Sequence, residues 1–317
     1  MAVYTHVDEK AAESFLIEYE IGDLVSLNGV EQGVENTNYI LDTTKGRYVL
    51  TLFEKRVEAN DLPFFMAAMA HMSANAIPAP APVVDKKGAA VGRLCGRPAA
   101  ITTFLSGQQR MEPAPDECRM MGETNARLHS ASRNFSMTRT NSLSLEGWCS
   151  LAAKTVARAD ECASGLSNII QEEIDFQTRM RPTKLETGLV HADLFPDNVF
   201  FEGGRISGVI DFYFACTDAY AYDLAITLNA WAHSLAGWSE EGARALITGY
   251  QNVRRITDAE KSALPALLRG AALRILLTRL YDFLNRVDGA VVAIKDPLAY
   301  RDLLLFHRDG GSHDLFG

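Results

Sequence analysis

Apolar residues recur along this chain with two different periods, and the first third carries mostly the period of strands. Apolar and polar residues alternate, or run between turn residues, at 24–30, 38–42, 47–53, 83–94 and 97–105. The run at 83–94 predicts a hairpin whose turn lies near Gly88. Helical spacing appears at 8–19 and again after Asn60-Asp61-Leu62-Pro63, where a cap residue precedes proline in a first turn. This part is therefore predicted to be rich in sheet.

The remaining two thirds carry mainly helical spacing. Amphipathic or apolar helical runs lie at 116–130, 145–163, 166–180, 222–233 and 271–284. At 317 residues the chain exceeds the usual size of one compact core. We therefore predict an α+β fold with two lobes, a small sheet-rich lobe at 1–105 and a larger helical lobe at 106–317.

Composition narrows the class of protein. A net charge of −9 argues against nucleic acid or an anionic membrane as the main partner. Five scattered cysteines without C-x-x-C spacing favour reduced thiols in a cytoplasmic protein over a disulfide framework or a zinc site. No signal-peptide pattern and no apolar run of membrane-spanning length is apparent.

The most informative stretch is a polar loop, His191-Ala192-Asp193-Leu194-Phe195-Pro196-Asp197-Asn198. An apolar run precedes it, and a hairpin with a Gly203-Gly204 turn returns the chain to Asp211. This hairpin is expected to bring Asp193, Asn198 and Asp211 together. Oxygen ligands of this kind suit Mg²⁺, and H-x-D-x-x-x-x-N followed by Asp-Phe matches the phosphoryl-transfer template. The alternative is a loop in which His191 and Asp193 only cap local backbone groups.

Three other features allow two interpretations each. The Gly-, Asn- and Thr-rich segment 28–38 could fold over phosphates or form an ordinary hairpin turn. Asp223, near the start of a helix, could be an exposed cap or could accept hydrogen bonds from the catalytic-loop backbone. Arg274 and Arg279, in an apolar helix, could form internal ion pairs or recognise a substrate carboxylate.

These motifs resemble the aminoglycoside phosphotransferase-like kinases over essentially the whole chain. Within that superfamily the segments 33–39, 49–56, 191–198 and 209–215 are most similar to the bacterial homoserine kinases of type II. The resemblance implies a two-lobed protein kinase-like fold, with a nucleotide-binding N-terminal lobe and an acceptor site in the helical lobe. It also implies transfer of the ATP γ-phosphoryl group to the hydroxyl of L-homoserine, in threonine biosynthesis.

The resemblance also assigns roles to residues. Asp193 would accept the hydroxyl proton, Asn198 and Asp211 would hold Mg²⁺, and His191 and Asp223 would support the loop. A zwitterionic acceptor also needs a cation for its carboxylate, and Arg274 or Arg279 could supply it. The nucleotide would contact Gly33, Asn36, Thr37, Asn38, Thr51, Lys55, Thr103, Phe104 and Leu105.

One departure from the family concerns the residues that bind the triphosphate. The usual strand Lys or Arg and its helix Glu partner are replaced here by Thr51 and Phe65, so Lys55 or Arg56 would have to supply the cation. Two other functions remain open. One is a kinase of the same fold acting on another small alcohol, such as an aminoglycoside, choline or a sugar. The other is a non-catalytic nucleotide-binding protein.

Overall fold

A computed structural model describes residues 4–30, 36–54, 57–234, 236–286, 295–312 and 315–316. The chain divides into two compact units. The sheet unit comprises residues 1–108, 200–202 and 207–213, and the helical unit comprises residues 109–199, 203–206 and 214–317. The first segment of the sheet unit thus extends three residues past the predicted boundary at 105.

The sheet unit is built on antiparallel strands. Its sheet runs in the order β1-β2-β3-β6-β4, and β5 also pairs with β6. The strands are β1 Leu24–Gly29, β2 Thr37–Thr43, β3 Gly46–Leu52, β4 Pro82–Val83, β5 Gly92–Leu94 and β6 Arg97–Thr103. Two helices accompany them, α1 Glu9–Leu16 and α2 Leu62–Ala74, the latter preceded by a 3-10 turn at Ala59–Asp61.

The alternation of side chains explains how this sheet forms a core. Along β2 every second residue is buried, as expected for a strand with one covered face. Leu41 and Leu50 pack in one apolar cluster with Leu16 of α1 and Ile101 of β6. Helix α1 begins at a side-chain cap, because the Asp8 carboxylate accepts the Ala11 N–H at 2.8 Å.

The hairpin predicted at 83–94 is wrong. Strands β4 and β5 do not pair with each other; both pair with β6, end to end along the same edge. The turn at 85–88 does form, closed by the Asp85 carboxylate, but the chain leaves it without a ladder. The hairpin that does form joins β5 to β6 through Cys95 and Gly96, both at positive φ, as a two-residue turn requires.

Two segments from later in the chain complete the sheet unit. Strands β8 (Val199–Glu202) and β9 (Arg205–Val209) form the predicted hairpin, with Gly203 and Gly204 at φ 58° and 75°. These two values identify the left-handed turn that glycine adopts without strain. The hairpin is joined to the sheet unit where Val209 N–H donates to the Pro78 carbonyl at 2.7 Å.

The helical unit is a packed set of helices with short antiparallel strand pairs. Strand β7 (Thr187–Val190) pairs antiparallel with β10 (Cys216–Ala219). Short strands β11 His233–Ser234 and β12 Gly237–Trp238 also pair. The helices are α3 Pro115–Ser132, α4 Leu145–Thr155, α5 Leu166–Met180, α6 Tyr220–Trp231, α7 Glu240–Gln251, α8 Asp258–Leu284 and α9 Leu298–Arg308.

Two glycines allow a close helix crossing in this unit. A Cβ added to Gly122 of α3 would lie 2.0 Å from the Leu246 carbonyl oxygen of α7. A Cβ added to Gly249 of α7 would lie 2.0 Å from the Arg119 carbonyl oxygen of α3. The two backbones therefore touch, and any larger residue would separate them. In the described part of the chain, no helix is long and apolar enough to cross a bilayer.

Candidate active site

The predicted catalytic loop, residues 191–198, begins where β7 ends, and the contacts described next come from the helical unit. His191 is fully buried, and its Nδ1 accepts the Asp193 N–H at 3.2 Å. Ala192 adopts φ 62°, a conformation that a residue with a side chain seldom takes. Strain of this kind persists only where neighbouring contacts impose it, so the contacts of Ala192 decide the shape of the loop.

Asp223 supplies one of these contacts. Its Oδ1 accepts the Ala192 N–H at 2.6 Å, which is the second of the two roles considered for this residue. Its Oδ2 accepts from Asn125 at 2.9 Å and lies 2.8 Å from His129 Nε2. Although burial opposes ionisation, the His129 hydrogen bond and charge, with the charge of His191 and the Ala192 N–H, lower the pKa of Asp223. The carboxylate is therefore a fixed anion beneath the loop.

Arg274 supplies the other contact. From α8, its guanidinium donates to the Ala192 carbonyl and lies 3.4 Å from Asp193 Oδ1. The side chain is 2% exposed, and it lies 5.4 Å from the centre of the Phe214 ring. Ala192 is thus bonded on its N–H by Asp223 and on its carbonyl by Arg274. The predicted substrate residue Arg274 is engaged with the loop itself.

Asp193 and Asn198 lie together at the surface of this unit. Asn198 Nδ2 donates to Asp193 Oδ2 at 3.1 Å and to the Asp193 carbonyl at 2.9 Å. The side chain of Asp193 is 18% exposed, so it can reach a ligand while remaining bonded. Because the amide nitrogen of Asn198 is used in this way, its amide oxygen is the atom left to face a hard cation.

Asp211 belongs to the sheet unit and lies two residues after Val209, the last residue of β9. Asp211 adopts φ 66°, which lies in the left-handed region. Ala192, which directly precedes Asp193, lies in that region too. Two residues after Asp211, Tyr213 packs edge-on against Phe53 at 5.3 Å and Phe65 at 5.8 Å. Burial, and then the negative charge of Asp211, raises the pKa of Tyr213, so its phenol stays neutral.

The predicted phosphate-facing residues lie at the start of β2, and most of their polar groups are already used within the sheet unit. Thr37 is fully buried; its hydroxyl accepts the Tyr4 and Thr5 N–H groups and donates to Glu54 at 2.8 Å. Asn36 Oδ1 accepts the Glu54 N–H at 3.4 Å. The Thr37 side chain is therefore structural. The predicted contacts at Gly33 and Lys55, and the candidate Arg56, lie outside the described residues.

Neutral hydrogen-bonding side chains surround Thr51, the position at which the family pattern predicts the strand cation. The Thr51 hydroxyl donates to Asn38 Oδ1 at 2.7 Å and is also a hydrogen-bond partner of Tyr213. Phe65, at the position of the helix Glu, is 1% exposed and packs against the Tyr213 ring. The predicted departure would remove both members of the charged pair together, which leaves no charge without its partner.

The connector residues Thr103, Phe104 and Leu105 leave the end of β6. The Thr103 N–H and hydroxyl both pair with Ala81, each at 2.9 Å. Phe104 is 37% exposed, with Arg47 at 5.5 Å from its ring centre. The Thr103 N–H and hydroxyl are therefore used within the sheet unit, and the ring of Phe104 is the exposed part of this connector.

A charged cluster in the helical unit surrounds Arg279, the second predicted substrate residue. Its guanidinium donates to the Asp296 carbonyl at 3.0 Å and lies 4.6 Å from the Tyr300 ring centre. Burial lowers the pKa of Arg279, against the opposing charges of Asp197 and Asp193 among others. Lys295 Nζ lies 2.7 Å from Asp197 Oδ2. We call Arg279, Lys295, Asp197 and Tyr300 the Arg279 cluster.

Several of these residues have no sequence signal that would have identified them. His129 and Tyr250 occupy ordinary helix positions, and only the fold brings His129 to Asp223 and Tyr250 to His129. Lys295 and Tyr300 lie far along the chain from the catalytic motif. Tyr213 could have been found, since it follows the Asp211-Phe212 pair directly.

Comparison with known proteins gives relatives over the full length. A homoserine kinase of Methylorubrum populi is 50% identical over 309 residues, covering 97% of this chain and 96% of that protein. A homoserine kinase of Rhizobium etli is 48% identical over 318 residues, covering 100% and 99%.

Solved structures share the fold at low identity. A spectinomycin phosphotransferase in complex with ADP and spectinomycin gives a TM-score of 0.73 at 12% identity, covering 96% of this chain and 98% of that one. A microcompartment-associated aminopropanol kinase gives 0.72 at 17% identity, covering 98% and 99%. These matches confirm the predicted α+β, kinase-like fold class.

The family itself is settled by a match that spans most of the described sheet and the catalytic loop. Residues 26–256 match the family model described as "Phosphotransferase enzyme family". Together with the full-length relatives, this match shows that the chain belongs to the phosphotransferase enzyme family.

Proposed function

We propose that this protein transfers the γ-phosphoryl group of ATP to the side-chain hydroxyl of L-homoserine, giving O-phospho-L-homoserine and ADP. The observation that carries the proposal is the position of Asp193 in its loop, where Asn198 donates a hydrogen bond to it and Arg274 pairs with it. The full-length relatives named homoserine kinase support the choice of acceptor. The five free cysteines fit a reducing, cytoplasmic location.

Asp193 is the proposed base. The Asn198 amide orients its Oδ2, and the Arg274 guanidinium beside Oδ1 favours the ionised carboxylate. An ionised, oriented carboxylate can accept the hydroxyl proton as the oxygen attacks the γ-phosphorus and the bond to ADP breaks. Because phosphoryl transfer needs little covalent chemistry from the protein, positioning of the hydroxyl is the main contribution.

Asn198 and Asp211 are the proposed Mg²⁺ ligands. An amide oxygen and a carboxylate match the preference of Mg²⁺, which takes few protein ligands and completes its shell with water and phosphate oxygens. When bound, the ion would neutralise charge on the phosphates. The left-handed backbone at Asp211 is the kind of special conformation that a ligand position can require.

For the nucleotide, we propose that the connector 103–105 meets the adenine and that the segment around Gly33 and Asn36 covers the phosphates. Asn38 and Thr51 would shape this site through the network with Tyr213 rather than by charge. The cation for the triphosphate would then come from Lys55 or Arg56, as the sequence suggested.

For the acceptor, we propose that Arg279 binds the carboxylate and Asp197 the ammonium group. The guanidinium is partly withdrawn from water, which strengthens a charge-assisted hydrogen bond to a carboxylate. Asp197 now pairs with Lys295, an exposed contact that a ligand ammonium can replace at little cost. A cluster holding both signs of charge suits an amino acid better than a polycationic antibiotic.

ADP release measured across a panel of hydroxyl compounds tests the proposal. We expect kcat/KM for L-homoserine to exceed that for aminoglycosides, choline and sugars by at least 100-fold. Preference for one of those alcohols would support the other kinase function, and no turnover with any of them would support a non-catalytic protein.

Replacement of Arg279 tests the acceptor assignment. Arg279→Met should raise KM for L-homoserine about 10- to 100-fold and leave kcat within a few-fold, because it removes binding that ground state and transition state share. Arg301→Met is the matched control, since Arg301 pairs with Asp302 on α9 beside Tyr300. Equal KM values for the two variants would contradict the assignment.

A further inference from the structure

The segment that follows the connector lies directly on the β8–β9 hairpin, and none of the roles above uses this contact. Gln108 and Phe201 form an antiparallel bridge, in which each N–H donates to the other's carbonyl at 2.9 Å. The Ser207 hydroxyl donates to the Ser106 carbonyl at 2.6 Å, and the Ser106 hydroxyl donates to Glu202 Oε2 at 2.9 Å. These hydrogen bonds join the segment to both strands of the hairpin.

Gly107 allows this close approach. It adopts φ 136°, and a Cβ at this position would lie 2.5 Å from Ser207 Oγ, 2.9 Å from Phe200 Cβ and 3.0 Å from the Phe201 carbonyl oxygen. A serine hydroxyl can rotate to another rotamer, but a Cβ atom and a backbone carbonyl move only with the strand itself. Any side chain at residue 107 would therefore push the hairpin away from the segment.

Gly208 gives the matching approach from the side of the hairpin. A Cβ added to it would lie 2.9 Å from Phe200 Cδ2 and 3.1 Å from Leu105 Cβ. Leu105 is a residue of the connector, so the hairpin reaches the connector itself. Gly208 is buried, and its φ lies outside the left-handed region. A methyl group at this position would thus separate the two segments without straining the backbone.

The same strand of the hairpin leads to Asp211, the proposed metal ligand. Asp211 is three residues beyond Gly208, and three residues span about 10 Å at most. Between them, the Val209 N–H donates to the Pro78 carbonyl at 2.7 Å, which holds the strand within the sheet unit. The connector and Asp211 both belong to this unit. The contact at the two glycines therefore sets the spacing between them.

We propose that Gly107 is a positioning residue for the nucleotide, because it fixes the distance between the connector and Asp211. The inference rests on the proposed nucleotide site, in which the connector contacts the adenine and Asp211 holds the Mg²⁺ on the phosphates. One ligand then contacts both places at once. When their spacing changes, each place still binds its own part of the ligand, but the two contributions no longer add.

Calorimetry with adenosine, and with ADP in the presence and absence of Mg²⁺, tests this spacing. Adenosine probes the connector alone. The Kd of ADP without Mg²⁺ divided by its Kd with Mg²⁺, which we call the magnesium ratio, reports whether both places act together. In Gly107→Ala we expect the magnesium ratio to fall at least about 10-fold, while the Kd of adenosine stays within about threefold of the wild-type value.

A second variant and a control separate spacing from backbone strain. Gly208→Ala should lower the magnesium ratio in the same way, and it decides the question if Gly107→Ala does not fold. Gly204→Ala is the control, because Gly204 has φ 75° on the same hairpin and a Cβ there would have nothing within 4 Å. The control should keep the wild-type magnesium ratio and the wild-type affinity for adenosine.

Three results would overturn the inference. One is a wild-type magnesium ratio in the folded glycine variants at 107 and 208, even if urea unfolding shows that they are less stable. Another is a loss of adenosine affinity as large as the loss of ADP affinity, which would mean that the contact only shapes the connector. The third is an equal loss in Gly204→Ala. If the wild-type protein binds neither adenosine nor ADP, the proposed nucleotide site fails, and this inference fails with it.

Discussion

Replacement of Arg274 is the substitution whose effect the loop geometry predicts in most detail. The Arg274 guanidinium is the only partner described here for the Ala192 carbonyl, and it also balances the charge of Asp193. Arg274→Met keeps much of the apolar volume but removes both contacts. We expect a folded enzyme with a misplaced and less acidic Asp193.

The magnitude follows from the distances and the burial. Loss of a hydrogen bond to a charged group costs roughly 1.5–3 kcal/mol, and loss of one partner of a buried ion pair costs roughly 3–5 kcal/mol. Because Asp193 is 18% exposed, water screens part of this interaction, and we take about 2 kcal/mol for its ionised form. A similar loss in the transition state lowers kcat about 30-fold.

The pH dependence of kcat/KM is the decisive assay. Removing a positive charge raises the pKa of a nearby carboxyl, so the acid limb of the profile should move to higher pH. Arg269→Met is the matched control on the same helix, because Arg269 pairs with buried Glu173 at 2.5 Å. It should lower the free energy of unfolding without moving the acid limb.

Identical acid limbs for Arg274→Met and Arg269→Met would refute this reasoning. A fall in stability alone would mean that Arg274 only fills space beneath the loop. Arg274→Lys gives a second check. Lysine restores the charge without the planar guanidinium, so the acid limb should return most of the way to its wild-type pH, while kcat should be only partly restored.

Three further predictions concern the remaining groups. Asp193→Asn should abolish turnover and keep the fold and ATP binding; full activity in the pure variant would exclude Asp193 as the base. Asp211→Ala should lose Mg²⁺-dependent nucleotide binding, and unchanged affinity by calorimetry would contradict its ligand role. Burial lowers the pKa of His307 from 6.5 to about 3, so between these values only the unfolded chain binds the proton. Stability should therefore fall by about 2 kcal/mol from pH 7 to pH 5, and urea unfolding of His307→Asn should lack this loss.

The parts of the fold that could be read from sequence are those set by local chemistry. The Gly203-Gly204 hairpin follows from two residues that accept positive φ, and α5 over Leu166–Met180 follows from its apolar spacing. The 83–94 hairpin failed because strand pairing is not local. A sound turn at Asp85 and Gly88 does not decide which neighbour a strand will join.

The contacts of the candidate active site also divide into those set by the local sequence and those set by the fold. Asp193 and Asn198 lie five residues apart, so their contact was predictable from the motif. Arg274 could be recognised as an arginine in an apolar helix, but not as the partner of Ala192, 82 residues earlier in the chain. His129 carried no signal, since its role comes from a contact with Asp223 across 94 positions.

The central claim is that Asp193 directs phosphate from ATP to the hydroxyl of L-homoserine. Phosphorus NMR of the reaction mixture tests it most directly, because each product has its own resonance. We predict that a phosphomonoester of homoserine and ADP accumulate in equal amounts with the wild-type enzyme and not with Asp193→Asn. Release of inorganic phosphate alone, or equal ester formation by both enzymes, would contradict the claim.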